Sequence, residues 1–335
     1  MKTQTEYKQL RYRAYGMLAA LWVLLLLSFF LALNTGSAAI QISDIFNLLN
    51  QPETDLERRI LLELRLPRAI HAFTTGALLA IAGALMQVLL RNPLADPYVL
   101  GVSGGAAVFA LIAIALGLAG MTVSLFAFIG SMLAMLLVFG LARGQGNWTP
   151  TRLLLTGVVL ASGWGAIVSF ILSIAPQGKL RSLVFWLMGD LSFAENMAPG
   201  LIALGIGIII SLYFARNLNI LALDPQQAAS FGIHVPRLRW QIYIIASLLT
   251  AMAVVQVGNV GFVGLVIPHL LRLLGLRDYR LLIPGAVLAG GSLLLLADTI
   301  SRSAITDVVL PVGVLTAAIG VPLFILLLYR GTRKI

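Results

Sequence analysis

The sequence predicts an all-α integral membrane protein of about ten transmembrane helices, folded as one domain over residues 1–335. Three observations carry that expectation. The chain is 59% hydrophobic and only 11% charged, where a soluble domain holds roughly a quarter charged residues, so lipid must be the solvent for most of it. Apolar runs near the length a bilayer span needs, about 20 residues, recur ten times. The 23 lysines and arginines fall unevenly between the two sides that ten alternating spans define.

A tail, residues 1–13, leads into the first span at 14–33. That apolar run is too long for a typical signal-peptide core, and nine spans follow, so it reads as a retained helix. The second span, 68–90, sets Gly76, Ala80 and Gly83 on one face, where small side chains admit another backbone. The stretch NPLADPYVLGVSGG, residues 92–105, then turns the chain. Pro93 stops one helix. Asp96 can cap the next, with Pro97 at its first position, where a missing N–H costs nothing. Gly101, Gly104 and Gly105 go beyond what a turn needs. They read as close packing of the third span, 98–118, or as part of a pathway. The fourth to seventh spans are 123–141, 153–174, 198–213 and 241–257. The sixth and the eighth, 263–274, are short, so each should be longer than its apolar run or tilted. The ninth, 282–297, and the tenth, 310–328, complete the set. Met86, Gln87, Trp164 and Trp186 lie at span ends or on apolar faces and read as packing.

With both termini inside, 16 cations face the cytoplasm. Seven face outward: Arg58, Arg59, Arg65, Arg68, Lys179, Arg181 and Arg302. This is the positive-inside bias, so the net charge of +10 is an orientation signal and no nucleic-acid partner is expected. The 13 acidic residues avoid the middle of every predicted span, with Asp298 and Asp307 flanking the last outer loop. Ion-coupled carriers usually need ionisable groups at mid-membrane depth, which disfavours a secondary carrier. The phosphate-cradling pattern G-x-x-x-x-G-K-[ST] is absent, so uphill transport would need an ATP-hydrolysing partner. With no cysteine, disulfides and thiolate metal sites are excluded. His71, His234 and His269 have no second ligand at metal spacing, so neither a metal nor a cofactor is expected.

The longest inner loop, 214–240, is too long for a turn. Asp224 and Pro225 open a short helix there as N-cap and first residue, Gln226 to Phe231 form about two turns, and Gly232 ends them. It is either a surface helix or a docking knob for an ATPase subunit.

Five stretches now point one way: RLPRAIHAFTTGALLAIAGALMQ from Arg65, RNPLADPYVLGVSGGA from Arg91, LALDPQQAASFGI from Leu221, GFVGLVIPHLLRLLG from Gly261 with LLLLADTISR ending at Arg302, and LPVGVLTAAIGVPLFILLL from Leu310. In order and spacing the chain resembles the permease subunits of type II ABC importers, the FecCD/BtuC type that takes up ferric siderophores, haem and vitamin B12. The five stretches disfavour a scaffold protein. The resemblance implies a homodimer in the bacterial inner membrane, with its pathway on the two-fold axis. It implies two ATP-binding-cassette ATPase subunits, which bind the ATP, and one periplasmic substrate-binding protein. Coupling to the ATPase falls to Asp224, Pro225, Gln226, Ala228, Ala229 and Gly232. The family's docking helix usually reads Leu-Gly-acidic with a later arginine; Asp224, Pro225 and Ala229 depart from that, while Ala228 and Gly232 match. Docking of the binding protein falls to Arg65, Arg68 and Arg302, whose positive charge runs against the orientation bias. Lipid headgroups, Glu57 or Glu63, and interfacial snorkelling are the other ways to compensate them. The loop before the fifth span implies a cytoplasmic gate at Thr149 and Thr151, stiffened by Pro150. An iron chelate leads as substrate because that subfamily is larger, with cobalamin the alternative.

Overall fold

The computed structural model describes residues 4–36, 56–143, 149–193, 196–305 and 310–331. Asp44, Glu53, Asp55, Glu195 and Asp307 of the predicted loops lie outside the described residues. Every regular element described is helical. The order is α1 (Gln4–Asn34), α2 (Leu56–Arg59), a π-helical segment (Ile60–Arg65), α3 (Leu66–Leu89), a 3₁₀ turn (Pro97–Leu100), α4 (Val102–Ala115), α5 (Met121–Arg143), α6 (Pro150–Ile174), α7 (Gln177–Met188), a 3₁₀ turn (Leu191–Phe193), α8 (Ala198–Tyr213), α9 (Ala215–Leu223), α10 (Pro225–Ser230), α11 (Val235–Val257), α12 (Val263–Leu273), α13 (Tyr279–Ser303) and α14 (Val312–Gly331).

Six helices are long and apolar enough to cross a membrane, and α8 with α9 forms a seventh candidate bent by 58°. The shorter apolar helices Val102–Ala115, Val263–Leu273 and Val312–Leu326 fall on the remaining predicted spans. Two of these are short for physical reasons. Gly101, at φ 71°, breaks the third span from its 3₁₀ turn, so α4 starts at Val102. The eighth span was expected to be longer than its apolar run or tilted; its helix stops at 11 residues, about 16 Å long. The missing length is irregular chain, with Gly258 at φ 77° and Phe262 at φ 70°. Inside lipid such backbone must find partners within the protein. The Val260 N–H donates to the Tyr98 hydroxyl at 3.2 Å, and the Asp190 N–H donates to the Val257 carbonyl at 2.8 Å.

Helix α3 is the axis of the core, with 94% of its apolar window buried. It packs on α11, α12 and α13. A Cβ at Gly76 would run into the Gly290 carbonyl, and one at Gly83 into that of Gly264, so the small-residue face of the second span is where two neighbouring backbones come in. A second apolar cluster joins α4 to α5, α6 and α7. By contrast, only 17% of the α1 window and 11% of the α6 window are buried. These two helices present apolar surface to lipid or to another chain. Besides the four-residue α2, two helices were not foreseen. Helix α7 mixes cations with apolar residues over 12 positions, and α9 buries only Ala215, Leu218 and Leu221, so neither gives a span-like signal.

Candidate functional site

Chain direction defines two ends of the bundle. Helix α1 runs to, and α3 runs from, the end that carries Arg65, Arg68 and Arg302, here the arginine face. The opposite end carries α10 and is the knob face.

At the arginine face the guanidinium groups turn inward. Arg65 is 5% exposed and donates Nη1 to the Leu33 carbonyl at 2.7 Å. Arg68 donates Nε and Nη2 to Asp298 Oδ1 at 3.0 and 2.9 Å. Arg302 donates Nε to Asp298 Oδ2 at 3.1 Å, and Nη1 and Nη2 to the Thr35 and Ala32 carbonyls, each at 3.3 Å. The sequence placed Asp298 beside a loop and offered Glu57 or Glu63 as counter-ions. Asp298 is fully buried in α13 and serves two of the arginines, Arg68 and Arg302, while Glu63 pairs with Arg59 at 3.3 Å. The last carbonyls of a helix lack intrahelical partners and carry partial negative charge. Arg65 and Arg302 therefore cap the C-terminus of α1. Lys179 Nζ does the same for α4, donating to the Ala115 carbonyl at 2.7 Å. That is a physical reason for cations on a side where the orientation bias opposes them.

At the knob face, Asp224 takes the N-cap position of α10 with extended backbone, φ −161°, but its side chain makes no cap bond. The helix closes with a Schellman pattern. The Gly232 N–H, at φ 79°, donates to Ala229 O at 2.9 Å, and the Ile233 N–H to Ala228 O at 3.0 Å. Ala228 is fully buried and pins the knob from inside. Gln226, Ala229 and Gly232 are exposed, as are two apolar neighbours outside the predicted coupling set, Leu223 and Phe231, at 72% and 73%. Two large apolar residues flanking a small polar helix were the available signal. Asn219 on α9 ties this region to α13: its Nδ2 donates to Asp278 Oδ1 at 2.7 Å, and the Tyr279 N–H donates to its Oδ1 at 2.9 Å.

Thr149 caps α6, its Oγ1 accepting from the Arg152 N–H at 3.3 Å, with Pro150 in the first turn; Thr151 is exposed. An open pocket of about 610 Å³ lies along the exposed side of α6, between it and the two helix breaks, lined by Asp96, Tyr98, Val158, Ser162, Asn259 and Phe262 among others. Asp96 accepts from the Tyr98 N–H at 2.7 Å, the predicted cap. Gly104 and Gly105 serve packing. A Cβ at Gly104 would press on Trp164, and one at Gly105 would strike the Gly130 carbonyl. Trp164, Trp186, Met86 and Gln87 are buried as packing groups, and Gln87 also donates to the Leu265 carbonyl and accepts from Arg272. His71 bonds Gln256 at 3.1 Å, and His234 caps α11. Among the described residues, no three His, Asp or Glu side chains come together as metal ligands.

The comparisons with known proteins agree with this architecture. The model of the FecCD transport family matches residues 24–330. The vitamin B12 import system permease BtuC of Yersinia enterocolitica is 39% identical over 317 residues, covering 93% of this chain and 92% of that one. The cobalamin import system permease BtuC of Halobacterium salinarum is 39% identical over 268 residues, 79% of this chain and 72% of that one. A solved structure described as a metal-chelate type ABC transporter in an inward-facing conformation superposes with a TM-score of 0.83 at 31% identity, covering 94% of this chain and 99% of that one. A multi-pass, all-helical architecture and near-full-length matches to importer permeases converge: the chain belongs to the FecCD transport family and is an ABC importer permease, a transport subunit and not an enzyme.

Proposed function

We propose that this chain forms the membrane pathway for cobalamin, working as a homodimer with two ATP-binding-cassette ATPase subunits and one periplasmic binding protein. The observation that carries the substrate is the near-full-length similarity to a permease named for vitamin B12 import. This reverses the sequence-based preference for an iron chelate, which rested on subfamily size. The iron chelate stays as the second reading, favoured by the structural neighbour described as a metal-chelate transporter. The rest of the reading follows from geometry. The exposed apolar sides of α6 suit a second copy, with the 610 Å³ pocket beside it contributing to the pathway. The knob of Asp224, Pro225, Gln226, Ala228, Ala229 and Gly232 engages the ATPase, with Leu223 and Phe231 adding apolar contact. ATP binding there closes the ATPases and switches access, with Thr149 and Thr151 at the inner gate. Arg65, Arg68 and Arg302 belong to the binding-protein surface, Arg68 most directly because the other two are occupied in capping. The termini lie in the cytoplasm, and residues 1–335 act as one permease domain. The test is uptake into proteoliposomes holding the permease with its cognate ATPase and binding protein. Radiolabelled cyanocobalamin should accumulate with ATP and not without it. Accumulation of ferric siderophore or haem with no cobalamin uptake would move the protein to the second reading. Gradient-driven uptake without ATP would overturn the importer reading altogether.

A further inference from the structure

Asp298 has no role in a docking surface made of arginines, yet it is the best-buried charge at that face. It accepts from Arg68 and from Arg302, joining α3 to α13 across 230 residues. The three arginines differ in what remains to them. Arg302 spends Nε, Nη1 and Nη2 on Asp298, Thr35 and Ala32, and Arg65 is 5% exposed. Arg68 keeps 20% of its side chain exposed, and its Nη1 has no partner among the described residues. A guanidinium is a rigid planar fork with two edges that can each hold a carboxylate, Nε with Nη2 and Nη1 with Nη2. Clamping the first edge fixes the plane and so the direction of the second. We propose that Asp298 is a positioning residue for docking: it grips the Nε/Nη2 edge of Arg68 so that the Nη1 end of the fork meets a carboxylate of the binding protein.

This proposal rests on the docking reading above, and it separates from simple attraction by sign. Three arginines and one aspartate leave the cluster with a formal charge of +2. Removing the negative charge of Asp298 raises that to +3, which by electrostatic steering alone should tighten a complex with acidic groups. Loss of a positioning residue should loosen it.

The experiment measures affinity and dissociation rate of the cognate binding protein on the permease–ATPase complex in zwitterionic nanodiscs. Asp298→Asn should weaken binding roughly tenfold through faster dissociation. The pair Asp298→Asn/Arg302→Gln should bind more weakly than Arg302→Gln alone, although its cluster charge is +2 against +1; this comparison carries the test if Asp298→Asn alone does not fold. In an Arg68→Lys background, which has no second edge to orient, Asp298→Asn should have no further effect. Unchanged or tighter binding in the Asp298 variants, or the same added loss in the Arg68→Lys background, would overturn the positioning role. The docking reading fails separately if Arg68→Glu binds like wild type at low salt.

Discussion

A single residue can look alike in sequence whether it makes a contact or supports one. Ala228 was expected in the coupling set from its sequence, but its side chain is fully buried under the knob, while Phe231 nearby is 73% exposed. Substitutions should therefore separate the two roles. Ala228→Leu overfills a closed site and should destabilise by about 1–3 kcal/mol, seen as a lower unfolding temperature in detergent. Phe231→Ala should change stability by no more than about 0.5 kcal/mol yet lower the yield of co-purified ATPase. Equal ATPase recovery from wild type and Phe231→Ala would remove Phe231 from the interface. The arginines teach the same lesson. That they share one end of the bundle was legible from the order of the spans, but their counter-ion was not, because Arg68 and Asp298 are brought together only by the packing of α3 on α13. The i,i+4 spacing of Asp298 and Arg302 was a readable hint.

Among the elements, α13 connects both faces. Its 25 residues make a rod of about 37 Å. Asp278 and Tyr279 at its start are held by Asn219 of the knob region, and Asp298 and Arg302 near its end join the arginine cluster. Glycines 290 and 291 let it lie against α3 backbone, so it is packed tightly enough to move as a unit. Asn219→Ala removes two hydrogen bonds, each worth about 1 kcal/mol, at the joint between knob and rod. The expected result is an ATPase that still binds and hydrolyses ATP while substrate imported per ATP falls severalfold. An unchanged ratio in proteoliposomes would show that α13 does not transmit the knob's motion. Legibility at this scale followed hydropathy. Long apolar helices stood out, whereas α9 and α7 did not, and the unwound starts of α4 and α12 could not be read because their backbone is satisfied by distant partners such as Tyr98.

At the scale of the whole molecule, every partner assignment depends on which face is outside. Sixteen cations against seven favour a cytoplasmic knob face, and three of the seven, Arg65, Arg302 and Lys179, cap helix C-termini. Those three follow helix direction, so they would sit where they do in either orientation. Discounting them leaves the remaining cations still more one-sided, which strengthens the orientation instead of eroding it. The absence of cysteine makes the test clean, since any introduced thiol is the only one. Met121, 72% exposed at the start of α5, and Phe231, 73% exposed at the knob, mark opposite faces. In right-side-out vesicles a membrane-impermeant maleimide should label Met121→Cys and spare Phe231→Cys; in inverted vesicles the pattern should reverse. The opposite result would put the knob outside, beyond reach of any ATPase, and the arginines inside, beyond reach of any periplasmic protein. Both docking assignments would then fall together, while the fold and family membership would stand.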